Sequence, residues 1–396
     1  MTNRIGLLFI IVGIAYTSNA QQATGPAPEA TTAEADLPFW DVPNLEKSFM
    51  DGTPEDKKDG ILVGELGVDG GNAEKIFQLA TKIADSTFPN YDSFLISHKG
   101  KLLFESYHKH GRINLPHPQA SATKAYTCLA LGRAIQMGYL TMEDLDKPLI
   151  NFLKDLDATK FVEGAEKITL AKALTMRSGI RISDEQKKEM EKNQEQLKGQ
   201  GEVQTYLALS APITEASQSF KYQSDPNLVM QVLDAVVPGS AKDFIKNELL
   251  DKLGITNYAW QTGPSGLPEA GWRVSMTSRD MVKWGTLVRN KGKWNNEQLI
   301  SEAYLKKGVN RILLTGDDDV FGGGENVSKQ GYGYYWWSAD LKHGDKTYFS
   351  TSAQGGGGQY IVLIEELDVM VVVTAHDNDN KTLQIIAEHV LPAFVK

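Results

Sequence analysis

The sequence predicts an α+β fold in which one antiparallel sheet is assembled from both ends of the chain, with a mostly helical domain inserted between them. Three observations carry this expectation. Short apolar runs of strand length cluster near both ends of the 396-residue chain. The links between successive runs are too short for parallel crossovers, which need a dozen residues or more. The middle, about 121–252, is helix-prone instead. The expected division is residues 45–118 and 260–396 for a sheet-and-helix domain and 119–259 for the helical one, with 45–396 forming one unit.

Taken in order, the chain begins with Arg4 ahead of an apolar run from Ile5 to Tyr16, and Ser18-Asn19-Ala20 supplies the small residues a signal peptidase reads. Residues 1–20 are therefore expected to be a cleavable secretory signal, its apolar run shorter than the roughly 18 residues of a membrane span. That implies a periplasmic or secreted protein with no stable membrane anchor. Residues 21–44 are rich in Ala, Thr, Pro and Glu and are expected to form a flexible leader.

Asn72 is placed to cap a helix in which Ile76, Phe77, Ala80, Ile83 and Ala84 share one face. Strand-like runs at 93–97 and 101–108 flank a tight turn at Lys99-Gly100. Further strand-like runs follow at 332–338, 346–351, 359–364 and 369–375, and an amphipathic helix is expected over 381–394. The charged stretch 184–202 reads as a solvated helix or loop.

Composition narrows the function. With 41 Lys+Arg against 50 Asp+Glu the formal charge is −9, and no basic stripe offsets that excess, which argues against nucleic-acid binding. Cys128, the only cysteine, rules out an intramolecular disulfide and any Cys-based zinc cluster, and is expected to be a small buried hydrophobe. Gly-x-Ser-x-Gly, His-Glu-x-x-His and the phosphate-binding glycine loop are all absent. His108 and His110 have the spacing of one strand face but lack a third ligand nearby, and are expected to be exposed strand residues. Asp317-Asp318-Asp319 and Gly322-Gly323-Gly324 read as turns.

What remains is Ser-x-x-Lys, in which a lysine amine can replace histidine as the base for a serine. The motif is short enough to arise by chance, and it occurs twice. Ser106 and Lys109 fall in a strand-like run, where residues three apart face opposite ways. Ser121 and Lys124 open the helical stretch, where residues three apart are neighbours and free N–H groups favour developing negative charge. Geometry selects Ser121.

From Ser121-Ala122-Thr123-Lys124 onward the chain resembles the serine β-lactamase and penicillin-binding-protein superfamily. It is most similar to the class C β-lactamase-like branch with esterases and 6-aminohexanoate-dimer hydrolases. Ordered blocks carry the resemblance over roughly residues 85–395: the hairpin FLISHKGKLLFESY, Gly138-Tyr139-Leu140 with DLDKPL, and Leu174-Thr175-Met176-Arg177-Ser178-Gly179-Ile180. Leu253-Gly254-Ile255, Thr277-Ser278-Arg279-Asp280-Met281 and Gly331-Tyr332-Gly333-Tyr334 follow in order. The resemblance implies the β-lactamase/transpeptidase-like fold and a second motif, Tyr222-Gln223-Ser224, in which Tyr222 exchanges protons with the serine and the leaving group. It implies a third, Ala353-Gln354-Gly355-Gly356-Gly357-Gly358-Gln359, on a strand edge. There a backbone N–H near Gly358 or Gln359, with Gly357 beside them, would join that of Ser121 to bind an oxyanion; which residue supplies it stays open.

Two departures bear on substrate. No lysine or histidine occurs within 354–359, and Ser224 stands where asparagine is more common. The resemblance implies that a cation in this motif holds a β-lactam or peptide carboxylate and that asparagine reaches the amide. Both departures therefore point away from penicillins and toward esters or amides lacking that carboxylate. Arg177, Arg273 or Arg279 is an alternative anion anchor, although each is more simply structural. The expectation is a serine hydrolase acting on a small-molecule ester or amide through Ser121, Lys124 and Tyr222. It needs no metal or organic cofactor, and no obligate protein partner is evident. The alternatives are a β-lactamase or D-amino-acid-specific peptidase, and a catalytically silent cell-wall or peptide-binding protein on the same scaffold.

Overall fold

Left-handed backbone at Lys99 (φ 50°) and Gly100 (φ 80°) gives the first hairpin its two-residue turn, because that conformation matches the twist of the strands on either side. In the computed structural model, which describes residues 25–316, 323–378 and 381–395, the chain enters through α1 (Thr32–Ala35), β1 (Phe49–Asp51), β2 (Leu62–Val63) and α2 (Ala73–Ala84). The hairpin is β3 (Tyr91–His98) with β4 (Lys101–Tyr107); β1 pairs antiparallel and β2 parallel with β4. Asn72 caps α2 by accepting from the Lys75 N–H at 3.0 Å.

A small sheet follows, made of β5 (His117–Pro118), β6 (Tyr258–Trp260) and β7 (Val274–Met276) in the order β5-β7-β6. Between β5 and β6 lie α3 (Thr123–Gln136), α4 (Leu170–Leu174), α5 (Asp184–Lys192), α6 (Gly201–Leu209), α7 (Asp225–Val236) and α8 (Ala241–Ile245). After α9 (Ser278–Arg289), the short pair β8 (Lys293–Trp294) and β9 (Glu297–Gln298), and α10 (Glu302–Gly308), the main sheet resumes. Its remaining strands are β10 (Leu313–Leu314), β11 (Val327–Tyr332), β12 (Trp337–His343), β13 (Lys346–Gly355), β14 (Gln359–Ile364) and β15 (Val369–Ala375). The order across it is β1-β4-β3-β15-β14-β13-β12-β11-β10, with β2 on β4. The two ends of the chain therefore meet in the middle of the sheet, β15 against β3. This is the expected α+β arrangement with a helical insertion.

Alternation along the central strands splits the core in two. Leu95, Ile361, Met370 and Val372 pack with Trp284 and Leu287 of α9 and with the inserted helices. Ile96, Val362, Val371 and Val373 pack with Ile76, Leu79 and Ile83 of α2 and with Leu383, Ile386 and Val390 near the C-terminus. Every residue of β14 and β15 is buried, which explains why they read as nearly continuous apolar runs.

Several elements differ from the sequence expectation. The run 332–338 is not one strand: β11 ends at Tyr332 and β12 begins at Trp337, and Tyr335, with φ 60°, turns the chain between them. The 346–351 strand runs on to Gly355 because it pairs with β14 as far as Gly355↔Gln359. The C-terminal helix contains a π segment, Ile386–Val390, between Thr382–Ile385 and Leu391–Phe394. The flexible leader is corrected over its described part. The Ile113 N–H donates to Pro28 O at 2.9 Å, Arg112 pairs with Glu34 at 2.8 Å, and the Phe39 ring lies 4.2 Å from that of His117. Pro- and Ala-rich sequence is held there by partners far along the chain, which composition does not reveal. The expected signal segment, residues 21–24, Asp317-Asp318-Asp319 and Gly322 lie outside the described residues. Among the described residues no helix is long and apolar enough to cross a membrane.

The histidines are the other correction. His108 is fully buried, its Nε2 3.0 Å from Ser106 Oγ, and His110 is half-buried with its ring 4.6 Å from that of His376. Both belong to a cluster around the fully buried Asp92, which accepts from His117 Nε2 at 3.0 Å, His376 Nδ1 at 2.8 Å and the His110 N–H at 2.9 Å. These bonds tie the start of β3 to β5 and to the segment after β15. Despite desolvation, the hydrogen bonds from His117 and His376 hold the Asp92 carboxyl below its usual range, and the bond to Asp92 raises His376.

Asp92→Asn should destabilise the protein by about 3 kcal/mol, since removing one partner strands the others in a dry site. The lowered Asp92 value contributes stability that is lost on acidification, and the raised His376 value contributes stability that is lost as pH rises through it. The gap between wild type and variant, measured by chemical denaturation, should therefore be widest from mildly acidic to neutral pH and narrow at both extremes. A gap that does not vary with pH would remove charge from the account of this cluster.

Candidate active site

Ser121 stands where β5 turns into α3. Residues Ala120–Ala122 form a single 3-10 turn running straight into the helix. Ala120 just before it has φ 45°, a left-handed value that alanine adopts only when its surroundings impose it. Those surroundings begin at Gln119, whose N–H donates to Val274 O at 2.7 Å. Its side chain donates to His117 O at 2.9 Å and accepts from the Tyr126 hydroxyl at 2.9 Å. Helix α3 is buried on every side from Thr123 to Ala134, so Lys124 points into protein rather than solvent.

The Lys124 amine lies 3.0 Å from Ser121 Oγ, 2.8 Å from the Gly271 carbonyl oxygen and 4.7 Å from the centre of the Tyr222 ring. Only 7% of the residue is exposed. Burial pulls its pKa down to about 7; no neighbouring cation contributes, so desolvation alone makes the amine available as a base. The Tyr222 hydroxyl is hydrogen-bonded to Ser121, and burial pushes its pKa well above the ordinary tyrosine value. At neutral pH it is a phenol, able to give a proton and not poised as tyrosinate.

The segment bearing Tyr222 is held from behind. Asp225, at the start of α7, accepts from the Ser178 N–H at 2.9 Å, Ser178 Oγ at 2.8 Å and Gln223 Nε2 at 2.8 Å. Burial raises its carboxyl to about 6 against these bonds. Met176 O accepts from the Lys221 N–H at 2.9 Å, and Leu174 O from the Tyr335 N–H at 3.1 Å. The block 174–178 thus clamps both the Tyr222 segment and the turn between β11 and β12. Sequence reasoning missed Asp225 and Gly271. Asp225 follows directly on the Tyr-x-Ser triplet and was findable there; Gly271 acts through a main-chain carbonyl and leaves no residue-type signal.

Ser224 is exposed and hydrogen-bonded to Tyr206. The glycine motif is placed differently from expectation. Pairing of β12 with β13 stops at Trp337↔Ser352, while β13 and β14 continue to Gly355↔Gln359. One edge of residues 353–355 is therefore free, and it abuts the serine turn. A Cβ on Gly355 would fall 2.2 Å from Gln119 O and 3.1 Å from Ala122 N. Residues 356–358 form the hairpin turn and lean toward β15. Gly357 O accepts from the Asp377 N–H at 3.0 Å, and a Cβ on Gly358 would meet that of Ala375 at 2.7 Å. Gln359 is buried, and its side chain donates to Ala375 O at 2.7 Å and accepts from Ala375 N at 3.2 Å. The structure brings Ser121, Lys124 and Tyr222 together. The glycine of close approach is Gly355, and the Gln359 side chain braces the sheet.

A cavity of about 700 Å³ opens beside Tyr222, with Gln223, Ser224, Trp272 and Arg273 among its walls. Ser121 and Lys124 are not among its walls, but Tyr222, hydrogen-bonded to Ser121, is, and so is Trp272, next in the chain to the Gly271 that holds Lys124. Of the three arginines considered as anion anchors, Arg279 is buried against Asp59 at 3.0 Å and Arg177 donates to Gln218 O at 3.0 Å. Arg273 alone among them lines this cavity.

The Beta-lactamase family model matches residues 92–392. Solved structures share the fold at low identity. A class C beta-lactamase superposes with a TM-score of 0.57 at 14% identity, covering 82% of this chain and 96% of its own. The octameric penicillin-binding protein homologue from Pyrococcus abyssi gives 0.57 at 17%, covering 83% and 78%. A D-stereospecific amidohydrolase from Streptomyces sp. gives 0.56 at 13%, covering 78% and 97%. No curated protein sequence matches the chain.

Gly355→Ala should disrupt the site, because the backbone carbonyl of Gln119 cannot swing away as a flexible side chain would. Overpacking of this kind costs about 1–3 kcal/mol, and here the strain falls on the turn that carries Ser121. Labelling of Ser121 by a fluorophosphonate should slow at least tenfold in the variant, while Gly356→Ala, whose Cβ meets nothing within 4 Å, should label faster than Gly355→Ala. Equal rates in the two variants would contradict the close approach.

Proposed function

Because the chain belongs to the beta-lactamase family, we propose that it is a serine hydrolase cleaving carboxylic esters or amides through an acyl-enzyme on Ser121. The observation that carries this reading is the buried amine of Lys124, 3.0 Å from Ser121 Oγ with its pKa lowered to about 7. A charged lysine cannot take a proton; one in this environment is neutral in a large fraction of molecules at physiological pH.

In this reading Lys124 accepts the hydroxyl proton as Ser121 Oγ bonds to the acyl carbon. The resulting oxyanion is met by the Ser121 N–H at the head of α3 and by an N–H from the free edge of β13 near Gly355. As the tetrahedral species collapses, the bond to the leaving group breaks, and Tyr222 passes it a proton that Lys124 restores. Water then attacks the acyl-enzyme, giving up its proton to the same pair, and Ser121 leaves with a proton regained.

The absence of Lys and His from 354–359 supports esters and simple amides over β-lactams, and the Lys124–Ser121 contact supports an enzyme over a silent binding protein. The first twenty residues support a secreted or periplasmic site of action.

Ser121→Ala should remain folded and form no acyl-enzyme with p-nitrophenyl butyrate, by mass spectrometry. A label on Ser106, or persistent turnover, would overturn the nucleophile. Nitrocefin should be turned over orders of magnitude more slowly than the ester, and comparable rates would favour a β-lactamase instead.

The base has its own signature. Neutral amine grows as pH rises, so kcat/KM for the ester should climb through an apparent pKa near 7 and level above it. Lys124→Met should lose about 10²–10⁴-fold. Tyr222→Phe should keep more activity toward activated esters, whose leaving groups need little protonation. A full burst in Lys124→Met with an unshifted pH profile would exclude lysine as the base.

A further inference from the structure

Arg273 is held in a way that a structural arginine has no need of. Its backbone is left-handed at φ 58°, a strained value for a residue with a Cβ. Its guanidinium lies 4.1 Å from the ring of Trp272, a side chain that is itself 50% exposed. Among the described residues its nearest carboxylate is Glu269 at 3.9 Å, too far for a hydrogen bond, and its planar fork of five donors is otherwise unspent. The stack on Trp272 fixes the plane of that fork at the cavity wall.

The cavity separates its charges. Glu202 and Asp225 are buried and hydrogen-bonded to neutral groups: Glu202 to the Tyr206 hydroxyl at 2.7 Å and Asn227 Nδ2 at 2.6 Å, Asp225 to Ser178 and Gln223. The exposed charged members of the lining are cationic: Lys221, Arg273 and Lys187, the last paired with Asp184 at 3.0 Å. Glu269 is buried, and desolvation raises its carboxyl, which weakens its hold on Arg273 as pH falls. The chain also fixes how near this is to the chemistry. Gly271 accepts from Lys124 at 2.8 Å, and Arg273 is two residues on, so their backbones lie within about 7 Å.

We propose that Arg273, presented by Trp272, binds a carboxylate on the substrate, so that the preferred substrate is an acidic ester or amide. This rests on Ser121 being the nucleophile. It also fits the strand motif that lacks a cation: the anion is gripped by Arg273 at the cavity wall and not by a residue of 354–359.

The test compares esters of matched chain length or ring that differ in one charge. One pair carries it on the acyl side, p-nitrophenyl hydrogen glutarate against p-nitrophenyl pentanoate. The other carries it on the leaving group, the butyrate of 4-hydroxybenzoate against that of its methyl ester. Wild type should favour the acidic member of at least one pair by about tenfold or more in kcat/KM, the worth of a charge-assisted hydrogen bond. Arg273→Gln should lower that ratio about tenfold, Arg273→Lys should restore part of it, and Glu269→Gln, which frees the guanidinium, should raise it. A purely structural arginine would move both members of a pair alike. A wild-type preference for the neutral member of both pairs, or an acidic preference that survives Arg273→Gln, overturns the proposal. Turnover of the neutral esters that survives Ser121→Ala would instead overturn the nucleophile, so the two failures are told apart.

Discussion

An amine buried without a counter-ion is the constraint around which this site is built. Lys124 carries no carboxylate partner among the described residues, and its nitrogen is satisfied only by a serine hydroxyl and a main-chain carbonyl. Desolvation of that kind is expensive for a cation and mild for a neutral amine, so the fold itself chooses the protonation state. A carboxylate at the same spot would improve stability and abolish the base. The surroundings therefore have to be polar enough to accept an N–H and apolar enough to repel charge, and the Tyr222 ring face with the Gly271 carbonyl meets both needs.

Main-chain geometry supplies much of what side chains do not. Ala120, Met176, Arg273 and Tyr335 all carry positive φ without being glycine, and each is in or beside a segment that touches the site. Ala120 precedes the serine, Met176 gives its carbonyl to the Tyr222 segment, Tyr335 donates to Leu174, and Arg273 follows the carbonyl that holds Lys124. Each such residue costs roughly 1–3 kcal/mol in isolation. The strain persists because dense packing from two clusters of core leaves no room for relaxation.

Local chemistry explains which parts were legible in the sequence. The limits of β14 and β15, the turn at Lys99-Gly100 and the Asn72 cap follow from short-range rules of period and turn geometry, and the structure has them where those rules put them. Ser121 and Lys124 were separable from Ser106 and Lys109 because helix and strand aim residues three apart so differently. Gly355 and Gly357 could not be told apart, since a run of four glycines hides which one faces a neighbour distant in sequence. His108, His110 and the leader were misread for the same reason: their partners, Asp92, His376 and Arg112, lie beyond the reach of any local pattern. Tyr335 broke a strand that composition alone would continue, because the force that turns it comes from Leu174.

The pairing of β15 with β3 has a bearing on how the protein is made. Val369 and His98 are neighbours across the sheet yet about 270 residues apart in the chain. At about 5–20 residues per second, a ribosome that has released the β3–β4 hairpin works for tens of seconds more before the partner strand exists. Until then one fully buried edge of the sheet has nothing to pair with, and contacts this remote in sequence form late. The nascent hairpin is thus an open template for any passing strand. The yield of folded protein should therefore depend on how well that unpaired edge is kept apart until the last strands are made.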